Sequence, residues 1–138
     1  MDRTKRLVEF LEETIDYFLR KMEGVDRDRY FADRDTRNIL DKTINDIILC
    51  LVDIAEDALR NRKRPVPDTY RDTILACYDI FGESALKVAP LVKRRNEMIH
   101  QYLKINWQNI IAVKSKLPEI NEFAEKARTF FSLSRKEP

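Results

Sequence analysis

The sequence predicts an all-α fold, a bundle of four to five main helices. Three observations point there. Apolar residues recur at spacings of three and four along most of the chain, which is the helical period. Only two glycines and five prolines occur in 138 residues, too few for the tight turns of a sheet protein. Charged residues make up 36%, well above the usual quarter, which suits long helices with solvated faces. The length fits one domain over residues 1–138, and the apolar 43% is enough for one core.

The elements follow in order. Leu7, Leu11, Ile15, Phe18 and Met22 form one apolar face and predict a helix over 4–22, with Gly24 as its C-terminal stop. The charged stretch 25–35 predicts a short helical turn. A long helix follows over about 36–61. Its apolar stripe (Leu40, Ile44, Ile47, Ile48, Leu51, Ile54, Ala55, Ala58, Leu59) is wide enough to face several neighbours. The loop "RNRKRPVPD" holds two prolines and ends in Asp68, the expected N-cap of a helix over 69–81. That helix is expected to turn Tyr70, Ile74, Leu75, Tyr78 and Phe81 inward. Gly82 breaks the chain, residues 83–88 form another turn, and Pro90 opens a helix reaching about Gln101. Asn106 is the expected N-cap of a last helix over about 107–131, with a kink or restart at Pro118 and Trp107 as a packing anchor. Residues 132–138 are expected to fray.

Composition narrows the function classes. Lys plus Arg is 26 and Asp plus Glu is 24, so a net charge of +2 gives no general signature for nucleic acid or membrane. Any RNA site must be local. No apolar run approaches the roughly 18 residues needed to cross a bilayer, so no membrane partner is expected. The charged N-terminus does not read as a signal peptide. Cys50 and Cys77 lie in apolar helical stretches with neither redox nor zinc spacing, which fits reduced thiols in the cytoplasm. Asp26, Asp28, Asp33 and Asp35 lack the Gly and terminal Glu of a calcium loop. The basic run "RNRKRP" over 60–65 is either solvated or a contact for RNA or an acidic partner.

The candidate site is "RRNEMIHQY", residues 94–102, which holds the only histidine. On a helix, Leu91, Arg95, Met98, Ile99 and Tyr102 fall along one stripe. Arg95 thus stands where a bundle would normally place Leu. A guanidinium keeps its proton, so Arg95 needs a carboxylate or faces a cleft where an anion binds. Asn96 and His100 are four apart and share a face, and Lys93 and Arg94 add positive charge. One His alone makes no metal site, no Gly-rich phosphate loop occurs, and no Ser or Cys neighbours the His. No metal or other cofactor is expected.

Metal-free phosphodiester cleavage of RNA fits this set. The RNA supplies its own 2′-OH, His100 moves protons, Arg95 stabilises charge on phosphorus, and Asn96 orients the imidazole or the phosphate. A two-fold dimer would bring a second imidazole into the same cleft. Arg94, six positions before His100, competes with Arg95 for its role.

Arg95, Asn96, His100 and Tyr102, at this spacing and in this helical context, resemble the signature of the HEPN superfamily and, more closely, of the HepT-like toxins. The resemblance extends over nearly the whole chain, as one HEPN/HepT-like domain. It implies a ribonuclease toxin, an all-α homodimer whose Arg–His motifs face one cleft. It also implies an antitoxin partner, a MntA-like minimal nucleotidyltransferase that transfers AMP to the motif tyrosine, here Tyr102. AMP would add negative charge and bulk beside a cationic cleft. On the residues alone, Tyr102 reads equally as a core aromatic at a helix end. The competing reading is a non-catalytic helical module, the obligate partner of such a nucleotidyltransferase.

Overall fold

The structure is a computed structural model. It describes residues 3–100 and 106–136, with the backbone alone for residues 99–100 and 133–136. Among the described residues every regular element is an α-helix, as the composition requires, and five helices exceed seven residues.

The long helix α3 (Arg34–Asn61) is the axis of the fold. All nine residues of its expected stripe are buried, and Thr43, Cys50 and Val52 join them. Burial on nearly every side follows, because α3 packs against α1 (Arg3–Met22), α2 (Arg27–Ala32), α4 (Tyr70–Leu75), α7 (Leu91–His100), α8 (Trp107–Ser115) and α9 (Leu117–Lys136). Helix α1 packs against α3 and α9 and buries Leu11, Ile15, Phe18 and Met22. Gly24 takes a φ of 69°, the left-handed conformation that stops a helix without a Cβ penalty. A link from α9 to α1 runs through the Arg128–Glu12 ion pair.

The acidic stretch between α1 and α3 is capping chemistry. The Asp26 carboxylate accepts from the Arg29 N–H at 2.8 Å and starts α2. The Asp33 carboxylate accepts from the Asp35 and Thr36 N–H groups at 3.0 and 3.3 Å and starts α3. Thr36, through its amide first and its side chain second, holds the Asp33 carboxyl below its usual range, with a smaller pull from the Asp35 amide. Each cap satisfies amides that a helix start leaves open.

The region 69–81 departs from expectation. The N-cap is Thr69 rather than Asp68, with its hydroxyl accepting from the Asp72 N–H at 3.1 Å. The helix also stops at Leu75, and a separate turn, α5 (Tyr78–Phe81), follows. Thr73, Ile74, Cys77 and Phe81 face inward, while Tyr70 and Tyr78 are 43% and 48% exposed. The physical reason is a choice of face. Thr73 satisfies its hydroxyl on the Thr69 carbonyl, and the Cys77 thiol reaches the Ala55 carbonyl of α3, so both tolerate burial. A phenol keeps its hydroxyl in water more easily.

Gly82 then takes φ 64° and ψ −148°, a region essentially reserved for glycine, and turns the chain into α6 (Glu83–Val88). Phe81 is fully buried here, with its ring 4.6 Å from that of Phe123 on α9. Both cysteines are free and buried, and burial pushes each thiol up to about 12. They are packing residues at neutral pH.

The last third restarts as expected. Helix α8 ends at Ser115, and α9 begins at Leu117 with Pro118 in its first turn. The α9 backbone continues to Lys136, five residues beyond the expected end at 131. No helix of the described residues is long and apolar enough to cross a membrane.

Candidate active site

Helix α7 carries the motif, and three apolar side chains pin it. Leu91, Val92 and Met98 are buried. Lys93 and Asn96 are exposed on the outer face. Arg94 and Arg95 are half-buried between the two. They lie about 100° apart around the helix, so they diverge.

Arg95 reaches back across α3. Its Nε donates to Asn45 Oδ1 at 3.2 Å, and its guanidinium carbon lies 5.6 Å from the centre of the Tyr70 ring. Both partners are neutral. No ion pair among the described residues includes Arg95 or Arg94. Of the two options that its place in an apolar stripe allowed, the carboxylate is therefore absent among the described residues. The guanidinium sits in a cradle of an amide and a ring, neither of which carries a charge to balance its own, and no ion pair among the described residues does so. An anion at the mouth of the cradle would supply the missing charge.

Asn45 and Tyr70 were not legible as site residues. Asn45 lies half-buried next to Ile44 in the α3 stripe, fifty positions from Arg95, and no spacing rule connects them. Tyr70 reads as a core aromatic by periodicity, and its outward turn follows from the choice of face described above.

Arg94 points to α8. Its Nη1 donates to Asn109 Oδ1 at 3.4 Å. Behind that contact runs a polar chain. Asn109 Nδ2 donates to Asn106 Oδ1 at 3.3 Å, and Asn106 Nδ2 donates to Asp41 Oδ2 at 3.3 Å. The Tyr30 hydroxyl donates to Asp41 Oδ1 at 2.7 Å and accepts the Asn106 N–H at 3.0 Å. Asn106 stands at the start of α8, as expected, but its side chain makes no cap bond there. It is spent on this chain instead. Burial pushes the Asp41 carboxyl above its usual range, against the pull of its two hydrogen bonds. Burial, then the bond to Asp41, raises the Tyr30 phenol too, so it stays a proton donor. Trp107 packs its ring 5.3 Å from that of Tyr30, as an anchor should.

The chain predicts a measurable cost. Tyr30→Phe leaves the buried Asn106 N–H and one Asp41 oxygen without partners, and should lower stability by about 2 kcal/mol. Tyr30 bonds the charged carboxylate and so lowers the Asp41 pKa. That contribution is present above the carboxyl's pKa and lost below it. Urea denaturation should therefore show a larger loss at neutral pH than in mild acid.

The remaining expected site residues are placed as follows. Helix α7 keeps a helical backbone from Leu91 to His100, so Asn96 and His100 are one turn apart on it. The His100 side chain and the whole of Tyr102 lie outside the described residues. In the basic loop, Arg64 pairs bidentately with Asp79 at 2.8 and 2.6 Å, Arg60 pairs with Glu56 and Asp57, and Arg62 lies over the Phe130 ring. The arginines of that run are occupied within the protein. Among the described residues no group of three or more His, Cys, Asp or Glu side chains could hold a metal ion.

The arrangement defines a helical bundle with an arginine that has no ion pair among the described residues, on the helix that carries His100. The model of the ribonuclease HepT-like family matches residues 5–127, nearly the whole chain. The chain belongs to that family, within which the resemblance of "RRNEMIHQY" placed it. Neither the curated proteins nor the solved structures hold a significant match.

Proposed function

We propose that the protein is a metal-independent endoribonuclease toxin of a toxin–antitoxin pair, with Arg95, Asn96 and His100 as its active site. Family membership supports ribonuclease activity. The observation that carries the site is Arg95, half-buried, held by a neutral amide and a neutral ring, five residues before His100.

In this reading Arg95 binds the phosphate oxygens and stabilises the charge that builds on them. His100 takes the proton of the 2′-OH, and that oxygen attacks phosphorus. The P–O5′ bond breaks, and the leaving 5′ oxygen takes a proton from a second imidazole, supplied by another copy of the chain in a homodimer. The products are a 2′,3′-cyclic phosphate and a 5′-OH. Asn96 orients the imidazole or the phosphate. Lys93 and Arg94 attract the strand.

Silencing would come from a MntA-like nucleotidyltransferase. The Tyr102 oxygen attacks the α-phosphorus of ATP, AMP is added and pyrophosphate leaves. The new phosphate then competes for Arg95 and bars the RNA. The cell compartment proposed is the cytoplasm, where both partners and reduced thiols belong.

The test is cleavage of tRNA and mRNA in EDTA, with wild type beside His100→Ala. Cutting by the wild type alone supports the site. Equal cutting by both, or none by either, sinks it.

A further inference from the structure

We propose that Tyr70 is a nucleobase-stacking subsite for the RNA strand, next to the phosphate held at Arg95. This inference rests on the ribonuclease reading and names which part of the substrate meets which residue.

Tyr70 is the second residue the fold sets against Arg95, and its ring stays exposed because Thr73 and Cys77 take the interior. The ring stands at the first position of α4, 43% exposed, in a run of exposed residues from Asp68 to Asp72. Its hydroxyl makes no hydrogen bond among the described residues, and its one ring partner there is the Arg95 guanidinium, 5.6 Å from the ring centre. A phosphate gripped by Arg95 therefore lies within about one nucleotide of an open aromatic face. Aromatic rings, tyrosine among them, and guanidinium planes are surfaces on which unpaired bases stack.

The surrounding charge argues for a base rather than a second phosphate. Asp68 and Asp72 stand two positions before and after Tyr70 in the chain and are exposed. They would repel an anion but not a neutral base. The strand would thus place its phosphate toward Arg95 and an adjacent base on the ring. Such stacking is tolerant of sequence, because every base has a π face.

The experiment uses His100→Ala protein, which binds without cutting, and a short mixed-sequence single-stranded RNA read by fluorescence anisotropy. Added to it, Tyr70→Leu should weaken binding by about tenfold, whereas Tyr70→Phe should bind like its parent. A series of RNAs with one abasic position each should show one position whose loss weakens the parent by a similar factor. In the Tyr70→Leu protein that penalty should vanish. An abasic penalty that persists unchanged in Tyr70→Leu overturns the subsite, because the tyrosine then acts only by holding Arg95. Tyr70-dependent binding of free AMP, with RNA binding unaffected, overturns it too. The two readings separate cleanly. Loss of the Tyr70 effect with intact RNA cleavage removes the subsite alone, while absence of any RNA binding removes the ribonuclease reading with it.

Discussion

Arg95→Ala is expected to lower kcat for RNA cleavage by about 10²–10³-fold, the usual cost of removing one donor that meets charge formed in a transition state. Both kcat and kcat/KM should fall together, because the interaction strengthens as charge moves onto the phosphate. Stability should change little. Arg95 has no ion pair to lose among the described residues, and the Asn45 amide it leaves behind is only half-buried and can turn to water. The loss of activity would therefore not be a loss of fold, which circular dichroism and thermal melting would confirm. Arg95→Lys restores the charge but not the planar fork, so its rate should fall between the two. Arg94→Ala is the informative control. Arg94 faces Asn109 on α8, away from the Asn45–Tyr70 cradle, and its removal should cost much less. A larger loss at Arg94 than at Arg95 would transfer the role and overturn the assignment.

Phe81→Ala should be among the most damaging single truncations in the core, at about 3–5 kcal/mol. Phe81 has no exposed surface, and its ring meets Phe123 at 4.6 Å and Phe130 at 6.2 Å. It joins α5 to α9, two elements far apart in sequence. The glycine after it is fixed in a backbone conformation that leaves little freedom to collapse the cavity. A domain of this size has roughly 5–15 kcal/mol in total, so the variant should melt on the order of 10 °C lower or more. A loss below about 1 kcal/mol in urea denaturation would mean that the α5–α9 seam repacks and is not a rigid part of the core.

Legibility followed how local each determinant is. The α3 stripe could be read because its nine apolar residues repeat within one continuous helix, while Asn38, Lys42 and Arg60 stay exposed. The restart at Pro118 could be read because proline acts on its own backbone. The face of 69–81 could not. Two tyrosines competed with Thr73 and Cys77 for the interior, and the winner was decided by carbonyls at Thr69 and on α3. The same divide runs through the site. Arg95 was conspicuous because a cation interrupts an apolar stripe. Its partners Asn45 and Tyr70 come from other helices and carry no spacing signal. The chain from Tyr30 through Asp41 and Asn106 to Asn109 was equally hidden, since Asn106 reads as an ordinary cap until its side chain is seen to face Asp41.

The central claim is that the RNA's own 2′-OH is the nucleophile, with His100 moving the proton and Arg95 taking up the charge. The most direct measurement is the chemistry of the cut ends, formed by wild-type protein in EDTA. The account predicts a 2′,3′-cyclic phosphate on one fragment and a 5′-OH on the other, with none formed by His100→Ala. Fragments carrying a 3′-OH and a 5′-phosphate, or cutting that stops when EDTA is added, would contradict it.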